Sequence, residues 1–297
     1  MTTEAAIALR AANRRGVLAI SAGMASFVAN DAIVKFVSQS LPASQLIFLR
    51  GVFATALLLV IAHAMGATRR LMDLFDRRVL VRAGLDALGT VAYLVSLFHI
   101  PLANAVAINM ATPLVVTVLA VIAIREKVNA ARWLAIAVGF TGVLLVVQPR
   151  GAEFNAYALL CLVATLFQAA RDFATRLIDH TIPSVLITLS TAIAVTLFAG
   201  VWGLFQEWTP VQPAQLGLLA AAGVFLSGGY FLFTVAMRAG EMSLIAPFRY
   251  SGLVFALLLG YAVWRHVPNA WAWAGSALLL VAGLSLMRAP RPVTPRS

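Results

Sequence analysis

Ala29-Asn30-Asp31-Ala32-Ile33-Val34-Lys35, followed six residues later by Leu41-Pro42, is the stretch that decides the fold, because the chain carries it twice. The second copy reads Ala170-Arg171-Asp172-Phe173-Ala174-Thr175-Arg176 and ends on Ile182-Pro183, each matched position 141 residues further on. The copies lie five hydrophobic spans apart. An odd number of membrane crossings makes the second copy enter from the opposite side, so the halves form an inverted repeat.

The composition confines such a chain to the bilayer. Of its 297 residues 62% are hydrophobic and 11% charged, against about a quarter charged in a soluble domain. Runs of roughly 18 or more apolar residues cross a hydrocarbon core about 30 Å thick as helix. Ten are read here: 16–36, 45–65, 79–98, 103–124, 131–147, 154–178, 184–205, 214–236, 243–264 and 271–287. A β-barrel would need alternating segments of about ten residues, and these runs are apolar on nearly every face. The first run follows Arg14-Arg15 as a secretion signal would, but its length, Asp31 and the lack of a small-residue cleavage site favour a retained helix. The single cysteine, Cys161, excludes an internal disulfide.

A net charge of +11 in a soluble protein points to nucleic acid; here its distribution gives topology and no nucleic-acid partner is expected. With both termini cytoplasmic, sixteen Lys and Arg fall inside, among them Arg69, Arg70, Arg77, Arg78, Arg82, Arg125 and Lys127, and three outside, Lys35, Arg150 and Arg265. That is the positive-inside pattern. The fold expected is therefore an all-α membrane protein of ten transmembrane helices in two inverted five-helix repeats. Residues 1–15 form a cytoplasmic segment, 16–147 the first repeat, 148–153 a connection, 154–287 the second repeat and 288–297 a proline-bearing tail. The longest polar stretch, 66–78, reads as a solvated connection. No loop is long enough for a soluble catalytic domain.

Polar stripes run along helices that should otherwise face lipid. Asp86, Thr90, Tyr93 and Leu97 on the third span, and Gly223, Ser227, Tyr230 and Thr234 on the eighth, follow i, i+4, i+7, i+11 and so lie on one helical face. Asn30, Asn109 and Met110, Thr112-Pro113, Gln168, and Pro247-Phe248-Arg249-Tyr250 add polar and aromatic groups on spans one, four, six and nine. These faces imply a central cavity walled by spans 1, 3, 4, 6, 8 and 9, with 5 and 10 as outer scaffold. Its substrate-binding candidates are Asn30, Tyr93, Asn109, Met110, Gln168, Ser227, Tyr230, Phe248, Arg249 and Tyr250.

Ionisable groups in the hydrocarbon cost about 2.5–3.5 kcal/mol each on insertion scales, so they pair or face water. Asp31 and Arg50 lie at similar depth toward the outer side; Arg171, Asp172 and Arg249 lie toward the cytoplasm. They are gating or coupling candidates, as are Pro113 and Pro247 as bending points. Static pairs that neutralise charge are the competing reading. All three acidic groups, Asp31, Asp86 and Asp172, have basic groups within reach.

These marks, with Pro42 after the first span, Asn104 to Pro113 opening the fourth, Arg125-Glu126-Lys127 closing it and Gly139 with Gly142 in the fifth, resemble the drug/metabolite transporter superfamily, in its EamA-type ten-helix members. The resemblance spans residues 16–287. It departs in the second half, where Arg265-His266 replaces an expected Glu and Arg249-Tyr250 stands for Thr112-Pro113. It implies export of small metabolites across a bacterial inner membrane by alternating access, and the chain looks most like the aromatic amino acid exporters of the family. Nucleotide-sugar, purine or drug carriage is the alternative. An intramembrane enzyme would need a nucleophile with its base or clustered metal ligands. His63, His99, His180 and His266 are scattered, so no catalytic residue, metal or cofactor is expected. The partners expected are a small-molecule substrate and the lipid bilayer, with the chain a monomer or homodimer.

Overall fold

A computed structural model of the chain describes residues 3–125, 129–148, 155–175, 177–179, 181–239 and 245–288. Within these the secondary structure is helical throughout: α1 Thr3–Val37, α2 Ala43–Ala64, α3 Arg77–His99, α4 Leu102–Asn109, α5 Thr112–Ile124, α6 Ala130–Val147, α7 Ala156–Thr175, α8 Ser184–Gly203, α9 Pro213–Ala239, α10 Ser251–Trp264 and α11 Ala270–Arg288. Short 3-10 helices cover Ala67–Phe75 and Ala246–Tyr250. Among the described residues nine helical stretches are long and apolar enough to cross a membrane, and Ala270–Ser285 is a shorter apolar helix.

The outer faces bear this out. Leu18, Val60, Ile122, Leu134, Phe231 and Leu258 are each at least 60% exposed. Water would not tolerate apolar area on that scale, whereas lipid tails would.

Several boundaries differ from the sequence reading. α1 begins at Thr3 rather than 16, because Ala5, Ala6, Ala8 and Leu9 are strong helix formers. The polar stretch 66–78 is largely 3-10 helix, packed through buried Ala67. The fourth span is broken: α4 ends at Asn109 and α5 starts at Thr112, with Pro113 in its first turn. Proline has no N–H for the carbonyl four residues back, and the Thr112 hydroxyl donates to that Asn109 carbonyl instead, at 2.6 Å. The ninth span likewise enters through the 3-10 turn Ala246–Tyr250, with Pro247 in its first turn. Glu126, Lys127, Arg150, Arg176, most of the 148–153 connection and the tail beyond Arg288 lie outside the described residues.

α1 packs along α9 and α3 along α7; α2 crosses α8, and α6 lies on α11. α3 also meets α8 and α2 meets α9, while α4 and α5 touch α7 and α10 touches α1. Small residues permit these contacts, as in membrane bundles generally. A Cβ on Gly142 would lie 2.7 Å from the Gly275 carbonyl oxygen, so α6 and α11 touch backbone to backbone.

Candidate functional site

The bundle encloses a cavity of about 730 Å³, within the range of small-molecule pockets. One end is buried and bounded by Asn30, Arg50 and Tyr93. The lining then runs down α8 to Ser184 and down α7 to Thr175, both exposed, so this end meets solvent.

Of the expected binding residues, Asn30, Tyr93, Asn109, Met110, Gln168, Tyr230, Arg249 and Tyr250 line this cavity, as do Asp31, Arg50, Arg171, Asp172 and Pro113. Three do not: Phe248 is 42% exposed, Ser227 is buried within the bundle, and Pro247 lies outside the lining. The wall is also wider than expected, taking in spans two and seven. α2 contributes Arg50, Gly51, Ala54 and Leu58, and α8 contributes Ser184, Thr188 and Thr191 at i, i+4, i+7. That hydroxyl stripe was readable in the sequence. Arg82, counted as a loop charge, also reaches the cavity. No residue of α6 or α11 lines it.

At the solvent-facing end the charges are compensated. Arg171 donates to Asp86 at 2.7 Å and pairs with Asp172 at 2.8 Å. Asp86 is 2% exposed and also accepts from Thr191 at 3.0 Å, with Arg82 at 3.5 Å. Arg82 donates to Thr191 and Thr175 at 2.8 and 2.9 Å. This network joins α3, α7 and α8. Arg171, Asp172 and Arg249 line the cavity together, as expected: Asp172 pairs with Arg171, and the Arg249 guanidinium lies 5.2 Å from the Phe233 ring centre. Arg249 makes no hydrogen bond or ion pair among the described residues.

At the buried end the expected Asp31–Arg50 pair is not formed. Tyr93 donates to Asp31 at 2.7 Å, the Asn30 amide nitrogen donates to Asp31 at 2.9 Å, and Arg50 donates to the Asn30 oxygen at 3.3 Å. Phe27 and Tyr230 meet edge to face at 5.1 Å on the adjoining wall, a favoured aromatic geometry. Beyond this end Lys35 donates to the carbonyls of Leu97 and Ile100 at 2.6 and 2.7 Å. Gln45 exchanges hydrogen bonds with the Thr209 backbone, and Ser44 donates to Gln206. The α1–α2 turn is thereby tied to the segment after α8.

Helix ends refine the correspondence between halves. Arg125 and Arg265 both end a helix in the left-handed conformation, at φ 52° and 54°. Asn129 and Asn269 then accept the Arg132 and Ala272 amides at 2.9 Å each. Counted back from these ends, Arg249-Tyr250 matches Asn109-Met110 rather than Thr112-Pro113, and Arg265 matches Arg125 rather than Glu126. Arg249 thus stands at the helix break, where the first half has an amide. No three His, Cys, Asp or Glu side chains cluster as metal ligands among the described residues.

The model of the EamA-like transporter family matches residues 14–148 and again 155–288. The pseudopaline exporter CntI of Pseudomonas aeruginosa is 29% identical over 93% of this chain and 96% of its own length. A riboflavin transporter of Rhizobium johnstonii is 29% identical over 71% of this chain and 70% of its own. A crystal structure, 16% identical, superposes over 91% of this chain and 95% of its own with a TM-score of 0.61, so the fold is shared.

Proposed function

The chain belongs to the EamA-like transporter family, and on that premise we propose that it exports an amphipathic metabolite bearing a carboxylate and an aromatic or other hydrophobic group, aromatic amino acids among them, across a bacterial inner membrane by alternating access. The observation that carries this reading is the cavity itself. Phe27, Tyr93, Tyr230 and Tyr250 give it aromatic walls, and Arg50 and Arg249 offer guanidiniums that, among the described residues, have no carboxylate at hydrogen-bonding distance. Polarisable walls with a few placed polar groups suit such a solute.

The helix pairing supports the inverted repeat behind alternating access. Exchanging each helix with its counterpart turns α1·α9 into α3·α7 and α2·α9 into α3·α8, and returns α2·α8 and α6·α11 to themselves. The family model's match to each half points the same way. Loop charge puts the end with Arg82 and Ser184 in the cytoplasm, so the cavity described here opens inward. The Arg171, Asp86, Asp172 and Arg82 network then lies at the cytoplasmic gate, and the Lys35 and Gln45 ties close the outer one. Pro113 and Pro247 mark the breaks about which these spans bend.

Two relatives named for different solutes make substrate the point to test. Proteoliposomes would be assayed with labelled phenylalanine, leucine, glutamate, lysine and riboflavin, with and without a pH gradient. Phenylalanine uptake, competed by tryptophan but not by lysine, supports the reading. Riboflavin as the only transported solute would replace it, and equal transport of all side chains would remove side-chain recognition by the aromatic wall.

A further inference from the structure

At its buried end the cavity holds two opposite charges kept apart. Among the described residues Asp31 has only neutral donors, Tyr93 and Asn30, and Arg50 only the Asn30 amide oxygen. Neither makes an ion pair among the described residues. Asn30 is oriented without ambiguity: its oxygen meets a guanidinium that only donates, and its nitrogen a carboxylate that only accepts. Arg50 is 4% exposed, and its Nε has no partner.

Unpaired buried charges are expensive, and direct pairing of Asp31 with Arg50 would be the simplest relief. The other end takes that relief: the position of Asn30 is there Arg171, which pairs directly with Asp172. An amide inserted between two charges, both lining one cavity, leaves each free for a ligand of opposite sign. Lys35, one turn along α1, is occupied by backbone carbonyls and does not compete for Asp31.

We infer that Arg50, Asn30 and Asp31 form a dock for a zwitterionic α-amino acid head group, Arg50 taking the carboxylate and Asp31 the ammonium, with the side chain against Phe27, Tyr93 and Tyr230. This rests on the export reading for its physiological use, but it assigns a binding site that is measured without transport. Asn30 relays between the charges, and the head group replaces it as their partner. Arg249 remains for a second polar group further along a longer substrate.

Binding to the detergent-purified chain would be measured by calorimetry with four probes: phenylalanine, phenylalaninamide, 3-phenylpropionate and phenethylamine. The wild type should bind phenylalanine at least tenfold tighter than any probe lacking one charge. Arg50→Gln should abolish the preference for phenylalanine over phenylalaninamide while keeping that over 3-phenylpropionate. Asp31→Asn should do the reverse. A purely structural role would weaken all four probes together. Equal binding of the four by the wild type, or binding of none, overturns the dock even where the variants fail to fold. Selective binding without transport in liposomes would keep the dock and defeat the export reading; transport without head-group selectivity would do the opposite.

Discussion

Thr55 and Thr196 meet hydroxyl to hydroxyl at 3.4 Å where α2 crosses α8, and they stand 141 residues apart, the same offset as Asp31 and Asp172. A residue touches its own repeat counterpart only near the axis that exchanges the halves, so on the proposed inverted repeat this contact marks its pivot. Gly51 makes room for it: a Cβ there would run into the Thr196 side chain and lie 3.3 Å from its Cα. Gly51→Ala should therefore destabilise the fold by about 1–3 kcal/mol, the usual cost of overpacking. Thermal unfolding in detergent would measure it, and Thr196→Ala in the same chain should recover part of the loss by removing the hydroxyl. Additive losses would mean that the two helices do not close at this point.

The Asn109 carbonyl, left without a helical donor by Pro113, is satisfied by the Thr112 hydroxyl. Thr112→Val keeps the shape and deletes the donor, so it should cost about 1–3 kcal/mol, the desolvation penalty of an unsatisfied buried group. Thr112→Ser should be close to wild type. Equal unfolding midpoints for Val and Ser variants would show that water or backbone adjustment satisfies the carbonyl instead.

The helices and their order were legible because hydrocarbon demands continuous apolar runs of fixed length, a signal few other constraints imitate. The aromatic and amide lining, Tyr93, Asn109, Gln168 and Tyr230, was legible because helical spacing set it on one face. What was missed has a common cause. Read from sequence, Arg82 belongs to the nearby loop, yet a long side chain carries its charge about a turn along a helix. Pairing by depth along the membrane placed Asp31 near Arg50, but depth alone does not reveal the Asn30 amide between them. The break in the fourth span shows in Pro113, while its angle depends on packing against α7 and α10.

Asp86 and Asp172 share Arg171 but should respond differently to neutralisation. Among the described residues Asp86 is almost fully buried with three partners, whereas the Asp172 side chain is 36% exposed and pairs with Arg171 alone. Asp86→Asn breaks a buried network and should cost about 3–5 kcal/mol. Asp172→Asn should cost under about 1 kcal/mol, as exposed ion pairs do, and, if Arg171 acts at the proposed cytoplasmic gate, still change the transport rate in liposomes by loosening it. Unchanged transport by a folded Asp172→Asn protein would remove that residue from the gate.

Lys35 ties α1 to the end of α3 beyond the buried end of the cavity. Its ammonium meets carbonyls at and just beyond the C-terminus of α3, groups that lack helical donors and attract positive charge, and it lies 5.8 Å from the Trp264 ring centre. On the proposed alternating-access reading, this tie of α1 to α3 belongs to the state in which the outer gate is closed. Hydrogen bonds to a charged group contribute about 1.5–3 kcal/mol each, and about 1.4 kcal/mol already shifts an equilibrium tenfold. Lys35→Met should therefore raise the outward-open population at least tenfold, while Lys35→Arg should largely preserve the seal. Leu94, buried and lining the cavity, gives the readout: as Leu94→Cys in a Cys161→Ser background, it should react several-fold faster with an impermeant maleimide from outside when Lys35 is lost. No change in labelling would move the seal to the Gln45 and Thr209 contacts, whose disruption by Gln45→Ala should then produce the faster reaction.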